Sequence, residues 1–133
     1  MATKEELKKL LADNTASIYA RLLAIKKLYL EEYKEFNLEV DINSRDRFGR
    51  TAFMVACEYQ HIKVVEVLIE AGVDINAQDY FGVRPLMWAC SRNHNQIVDI
   101  LIKAGADIKP GEFMYERLLE YMKTYNEKGG GTK

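Results

Sequence analysis

Two cysteines and two histidines stand at matched offsets, Cys57-x-x-x-His61 and Cys90-x-x-x-His94. Two thiolates and two imidazoles are a ligand set that tetrahedral zinc accepts. A Cys–His couple is also the minimum of a thiol nucleophile, provided the thiol is partly exposed and a third group orients the base. The simpler account is duplication. Each pair sits at the same place in a segment written twice, so the second copy needs no tetrahedron to explain it. No Gly-rich phosphate cradle, H-E-x-x-H helix or G-x-S-x-G elbow occurs elsewhere in the chain. The sequence is therefore read as non-catalytic, with no cofactor and no metal.

The duplicated segment is what must position any functional side chain. VDINSRDRFGRTAFMVACEYQHIKVVEVLIEAG, residues 40–72, is followed without a gap by VDINAQDYFGVRPLMWACSRNHNQIVDILIKAG, residues 73–105, and 16 of the 33 columns are identical. A period of this length is the signature of a stacked repeat array. Gly49 and Gly82 belong to turns that require positive φ. Thr51 can cap a following helix through its hydroxyl, and Pro85 suits the first helical position of the second copy. The run Phe53-Met54-Val55-Ala56-Cys57 and its copy Leu86-Met87-Trp88-Ala89-Cys90 read as short core-facing helices. Val64, Val65, Leu68 and Ile69, repeated as Ile97, Val98, Leu101 and Ile102, form the apolar stripe of a second helix. Gly72 and Gly105 end those helices. Each unit is turn, helix, loop, helix.

The motifs D-R-F-G-R-T-A-F-M-V-A-C and D-Y-F-G-V-R-P-L-M-W-A-C, then V-V-E-V-L-I-E-A-G-V-D-I-N and I-V-D-I-L-I-K-A-G-A-D-I-K, resemble ankyrin repeats. The resemblance covers residues 40–105, about half the chain. It departs from the family pattern at Met54 and Met87 (usually His), Ala52 (usually Pro), Arg84 (usually a capping Thr), and Gln60 and Asn93 (usually Gly). These departures are expected to weaken local caps without changing the fold. The resemblance implies an all-α solenoid of stacked helix-turn-helix units joined by β-turn hairpin loops. It places each Cys in a small buried column and each His in the loop between helices. It also implies that partners bind the concave side, through hairpin tips and first-helix ends. Column by column these are Arg47, Phe48, Arg50, Glu58 and Tyr59, then Tyr80, Phe81, Val83, Ser91 and Arg92. Most are aromatic or Arg, the types that dominate binding hot spots. Phe48 and Phe81 could instead pack on the neighbouring hairpin. Asn43 and Asn76, in V-D-I-N, read as structural turn residues.

At 133 residues the chain suits one domain, and 48% apolar with 29% charged residues is ordinary for a globular protein. A net charge of −1 supplies no broad basic field for nucleic acid or anionic lipid. No apolar run is long enough to span a bilayer, and MATKEELKKLL lacks a signal-peptide core. A cytoplasmic protein with reduced thiols is the expectation.

Thr3 and Glu6 can form a capping box before Leu7, Leu10 and Leu11. A longer helix is expected from about Ala16 to Phe36, with Ile18, Leu22, Ile25, Tyr29, Tyr33 and Phe36 on one face. Residues 1–39 are read as an N-terminal helical cap and 40–72 and 73–105 as full repeats. Residues 106–127 are read as a C-terminal cap whose helix turns Met114, Leu118, Tyr121, Met122 and Tyr125 inward, with Phe113 and Leu119 widening the stripe. Residues 128–133 read as a frayed Gly-rich tail. The function expected is binding of another protein, as adaptor, inhibitor or targeting factor. The alternative is a self-associating scaffold that uses the opening helix.

Overall fold

A computed structural model describes residues 3–13, 15–31, 33 and 42–108, together with 116, 117, 119, 120, 123 and 124. Helix α1 (Lys4–Ala12) starts at the expected capping box: Glu6 N–H donates to Thr3 Oγ1 at 3.2 Å and Thr3 N–H to Glu6 Oε1 at 3.3 Å. Helix α2 (Ile18–Ile25) begins at Ser17, whose hydroxyl accepts from Tyr19 N–H. The repeat helices are α3 (Ala52–Glu58) and α4 (Ile62–Glu70), then α5 (Pro85–Ser91) and α6 (Asn95–Lys103). No strand is present among the described residues.

The helices form two layers. α2, α3 and α5 stack in one; the winding that follows α2, with α4 and α6, makes the other, and α1 packs on α2. The expected core lies between them. Phe53, Val65, Leu68, Leu86, Ile97 and Leu101 are all buried in one apolar cluster with Ile25, Leu28 and Tyr29 of the opening unit. At seven to nine residues none of the repeat helices would persist alone in water. Burial against the neighbouring unit is what holds them.

The opening helix departs from expectation. It is α-helical only to Ile25 and then widens into a π-helical segment, Lys26–Glu31. The Tyr33 N–H reaches back to the Lys27 carbonyl at 3.2 Å, which shows how loose the winding has become. In a π-helix the bond runs from i to i+5, and here the change accompanies burial of the adjacent residues Leu28 and Tyr29. The expected end near Phe36 lies outside the described residues. So do the inward stripe of the C-terminal helix and the 128–133 tail. Leu119, expected to point inward, is instead exposed.

The family-pattern departures act locally. Thr51 caps α3 by accepting from Met54 N–H at 3.3 Å, and the Met54 sulfur, 3.5 Å from Thr51 N–H, takes the position that a Glu or Gln side chain fills in an ordinary capping box. Arg84 makes no side-chain cap for α5; its guanidinium crosses to the next phrase and donates to the Asp107 carbonyl at 3.0 Å. Gln60 and Asn93 take φ of 61° and 59°, the left-handed conformation for which the family pattern has Gly.

Candidate interaction surface

Each hairpin tip is built around an aspartate. Asp46 Oδ1 accepts from the N–H groups of Phe48 (2.9 Å) and Arg50 (2.8 Å), and Asp79 Oδ1 does the same for Phe81 (2.9 Å) and Val83 (3.0 Å). Two N–H donors on one oxygen fold the intervening residues outward. Burial works against ionisation of Asp46, yet the backbone N–H groups of Arg50 and Phe48 and the Arg50 side chain outweigh it. They hold this carboxyl below its usual range. Neighbouring tips are tied edge to edge: Tyr80 N–H donates to the Phe48 carbonyl at 3.1 Å, and Arg45 donates to both the Gly49 carbonyl (2.8 Å) and the Gln78 carbonyl (2.5 Å). Behind the tips Asn43 Oδ1 accepts from Asp74 N–H and Asn76 Oδ1 from Asp107 N–H, each at 2.8 Å. The two V-D-I-N asparagines therefore join successive units, a role beyond the turns that the sequence suggested.

The residues picked out by column are not equivalent. Phe81 and Tyr80 are open, at 80% and 69% exposure; Arg47, Tyr59 and Arg92 are exposed and Phe48 only partly covered. Local packing does not claim Phe81. The Tyr80 ring lies over Gly49, where φ is +77° and an added Cβ would fall 2.5 Å from Tyr80 Cδ1. Val83 is half-buried against the core, and half-buried Ser91 donates its hydroxyl to the Trp88 carbonyl at 3.0 Å. Glu58 corrects the expectation of an exposed helix end. It is only 8% exposed, Arg92 Nη2 sits 2.7 Å from its Oε2, and His94 Nε2 donates to its carbonyl at 2.8 Å. Its side chain serves to hold Arg92 from the following repeat.

The side chains that remain form a continuous series. The Arg47 guanidinium stacks over Phe48 at 4.9 Å and Arg50 over the same ring at 5.3 Å. Arg50 also lies 5.8 Å from the Tyr19 ring, which meets Tyr59 edge-on at 6.1 Å and 61°. Arg92 closes the series over Tyr59 at 5.9 Å. Neighbouring Tyr19, and then the charge of Glu58, push the Tyr59 phenol above its ordinary pKa. Tyr19, on the first turn of α2, was absent from the column-derived set. The opening unit lacks the turn motif that would align it with the repeats; the only signal was an aromatic beside the Ile18-Leu22-Ile25 stripe. A groove of about 480 Å³ lies at this end, between residues 15–18 and the tip formed by Asp46, Arg47, Phe48 and Arg50.

The cysteines have other surroundings. Cys57 is fully buried and Cys90 nearly so; burial pushes both thiols up, with Arg117 partly offsetting this at Cys90. Neutral core thiols are poor nucleophiles and poor ligands. Burial, followed by the charge of Lys26, lowers the His61 pKa. Among the described residues no three His, Cys, Asp or Glu side chains come together as a metal site, and no helix is long and apolar enough to cross a membrane.

A two-layer stack of helix pairs with hairpin tips linked along one edge is the architecture of a helical repeat array. A family model described as "Ankyrin repeats (3 copies)" matches residues 15–111, well over half of the chain, and the chain belongs to the ankyrin-repeat family. The match takes in α2 and the π-helical segment, further than the internal duplication reaches. Ankyrin repeats are generally protein–protein interaction modules, typically without catalysis. No curated protein matches the chain.

Proposed function

We propose that this chain binds a partner protein, without catalysis, through the surface that runs from the hairpin tips across Tyr19 and Tyr59 to Arg92. The observation that supports it is the unbroken series Arg47–Phe48–Arg50–Tyr19–Tyr59–Arg92. Arginines stacked on aromatic rings keep little rotamer freedom, so docking orders them at small entropic cost. Partly exposed Tyr, Phe and Arg are also the anchors that carry most binding energy at protein interfaces. On this reading the protein is a rigid adaptor, inhibitor or targeting module, and its tips Tyr80 and Phe81 extend the same surface.

The test is capture of partners by the full chain, compared with Tyr59→Ala and with the double variant Tyr80→Ala/Phe81→Ala. The expected result is a protein retained by the parent and lost by both variants, with melting curves that stay superimposable. Retention undiminished by either variant would place the binding elsewhere.

A further inference from the structure

The ion pairs on this surface are lopsided. In the Arg92–Glu58 pair the arginine side chain is 50% exposed and the glutamate 9%; in the Arg50–Asp46 pair the figures are 25% and 10%. Each carboxylate is turned inward, Asp46 to fold its hairpin and Glu58 to bracket the His94 loop, while each guanidinium faces out. Arg47 stacks on Phe48 and has no carboxylate partner among the described residues. The charge that these pairs and Arg47 turn outward is therefore cationic, although the whole chain carries a net charge of −1 and the exposed Asp13 carboxylate, held by Thr15, stands at the far end of the groove. Arg92 spends Nη2 on Glu58 and Arg50 spends Nε on Asp46. A guanidinium has five N–H donors in a planar fork, so half-exposed Arg92 retains an edge able to take a second carboxylate, while Arg50, which also hydrogen-bonds Tyr19, retains the donors that bond leaves. The aromatic rings beneath keep these edges in place and offer apolar contact between them.

We propose that the partner segment received here is acidic: an extended stretch of protein whose Asp or Glu side chains alternate with apolar ones. Its carboxylates meet Arg47, Arg50 and Arg92, and its apolar side chains lie on Phe48, Tyr19 and Tyr59 and in the groove beside residues 15–18. Arg92 is separated from the other two arginines by the pair of tyrosines. That spacing suits charges distributed along a chain better than one compact dianion. A nucleic acid would need a longer basic stripe than three arginines supply. The inference rests on the protein-binding reading above and adds the chemistry of what is bound.

The test is selection of a random peptide-display library on the full chain, followed by affinity measurements on the best binder. Enriched peptides should carry more Asp and Glu than the starting library, interspersed with Leu, Phe or Tyr. Changing the acids of that peptide to Asn and Gln should weaken binding about tenfold, and raising the salt should weaken it further. On the protein, Arg47→Glu should cost about tenfold without moving the melting curve, because no internal carboxylate depends on Arg47. Arg92→Lys, which keeps the charge and so protects Glu58, should cost about threefold through the lost stacking and fork geometry. Neutral or basic winners that still depend on Tyr59 would overturn the acidic assignment and leave the surface standing. Winners indifferent to Tyr59, Arg47 and Arg92 alike, or no enrichment at all, would overturn both. A phosphoserine replacement that binds far more tightly than the acid it replaces would move the assignment to phosphopeptides.

Discussion

Asp46 shows how one side chain sets both shape and chemistry. Its carboxylate folds the first tip and holds Arg50 outward, so its ionised form is part of the native state. Its folded pKa lies below the unfolded value of 3.8. The stabilisation is therefore complete above that value and is lost as pH falls through the lower, folded pKa. Acid unfolding of Asp46→Asn should accordingly show a shallower loss of stability below about pH 4 than the parent, read from denaturant midpoints at a series of pH values. Gln60 provides a test of opposite sign. A non-glycine residue at positive φ costs about 1 kcal/mol, and Gln60 holds φ at 61°. Gln60→Gly should raise the melting temperature by a few degrees, whereas Asn93→Gly should gain less, because Asn tolerates this region and Asn93 also accepts a hydrogen bond from Arg117. At this scale the sequence was legible wherever a residue answers to its own turn, as with Asp46, Gly49 and Thr51. It was illegible at Glu58, whose burial depends on Arg92 from the next repeat and on the His94 ring beyond it.

The elements were legible in proportion to how fully they repeat. The duplicated stripes located α3 through α6 because the same apolar periodicity occurs twice at one offset. The opening helix had no second copy. Its spacing at Ile18, Leu22, Ile25 and Tyr29 fits an α-helix, and a switch of hydrogen bonds from i+4 to i+5 leaves no mark on such a pattern. Capping differs between otherwise equivalent elements: Thr51 caps α3, while Arg84 leaves α5 without a side-chain cap. Thr51→Ala should cost about 1 kcal/mol in chemical denaturation. Between units, Asn76→Ala removes the acceptor for the Asp107 N–H and should also cost about 1 kcal/mol. The stacked tips make Gly49 a stricter requirement than Gly82. Both have positive φ, but only Gly49 lies under a ring, so Gly49→Ala should destabilise distinctly more than Gly82→Ala under the same denaturant.

Across the whole molecule, units too small to fold alone bury their stripes on one another and leave one edge lined with arginines and aromatic rings. Much of this was visible in advance, because a repeated sequence implies a repeated shape. The contribution of the opening unit was not: Tyr19 joins the series only once α2 packs beside α3. The buried cysteines belong to the stacked interior, and a thiol reagent should label Cys57 no faster than the chain unfolds. The most direct test of the central claim is hydrogen–deuterium exchange of the full chain, free and saturated with its captured partner. The account predicts new protection at residues 47–50, 59–60, 80–83 and 91–92, with α4 and α6 unchanged. Protection confined to α4 and α6, with the tips still exchanging freely, would contradict it.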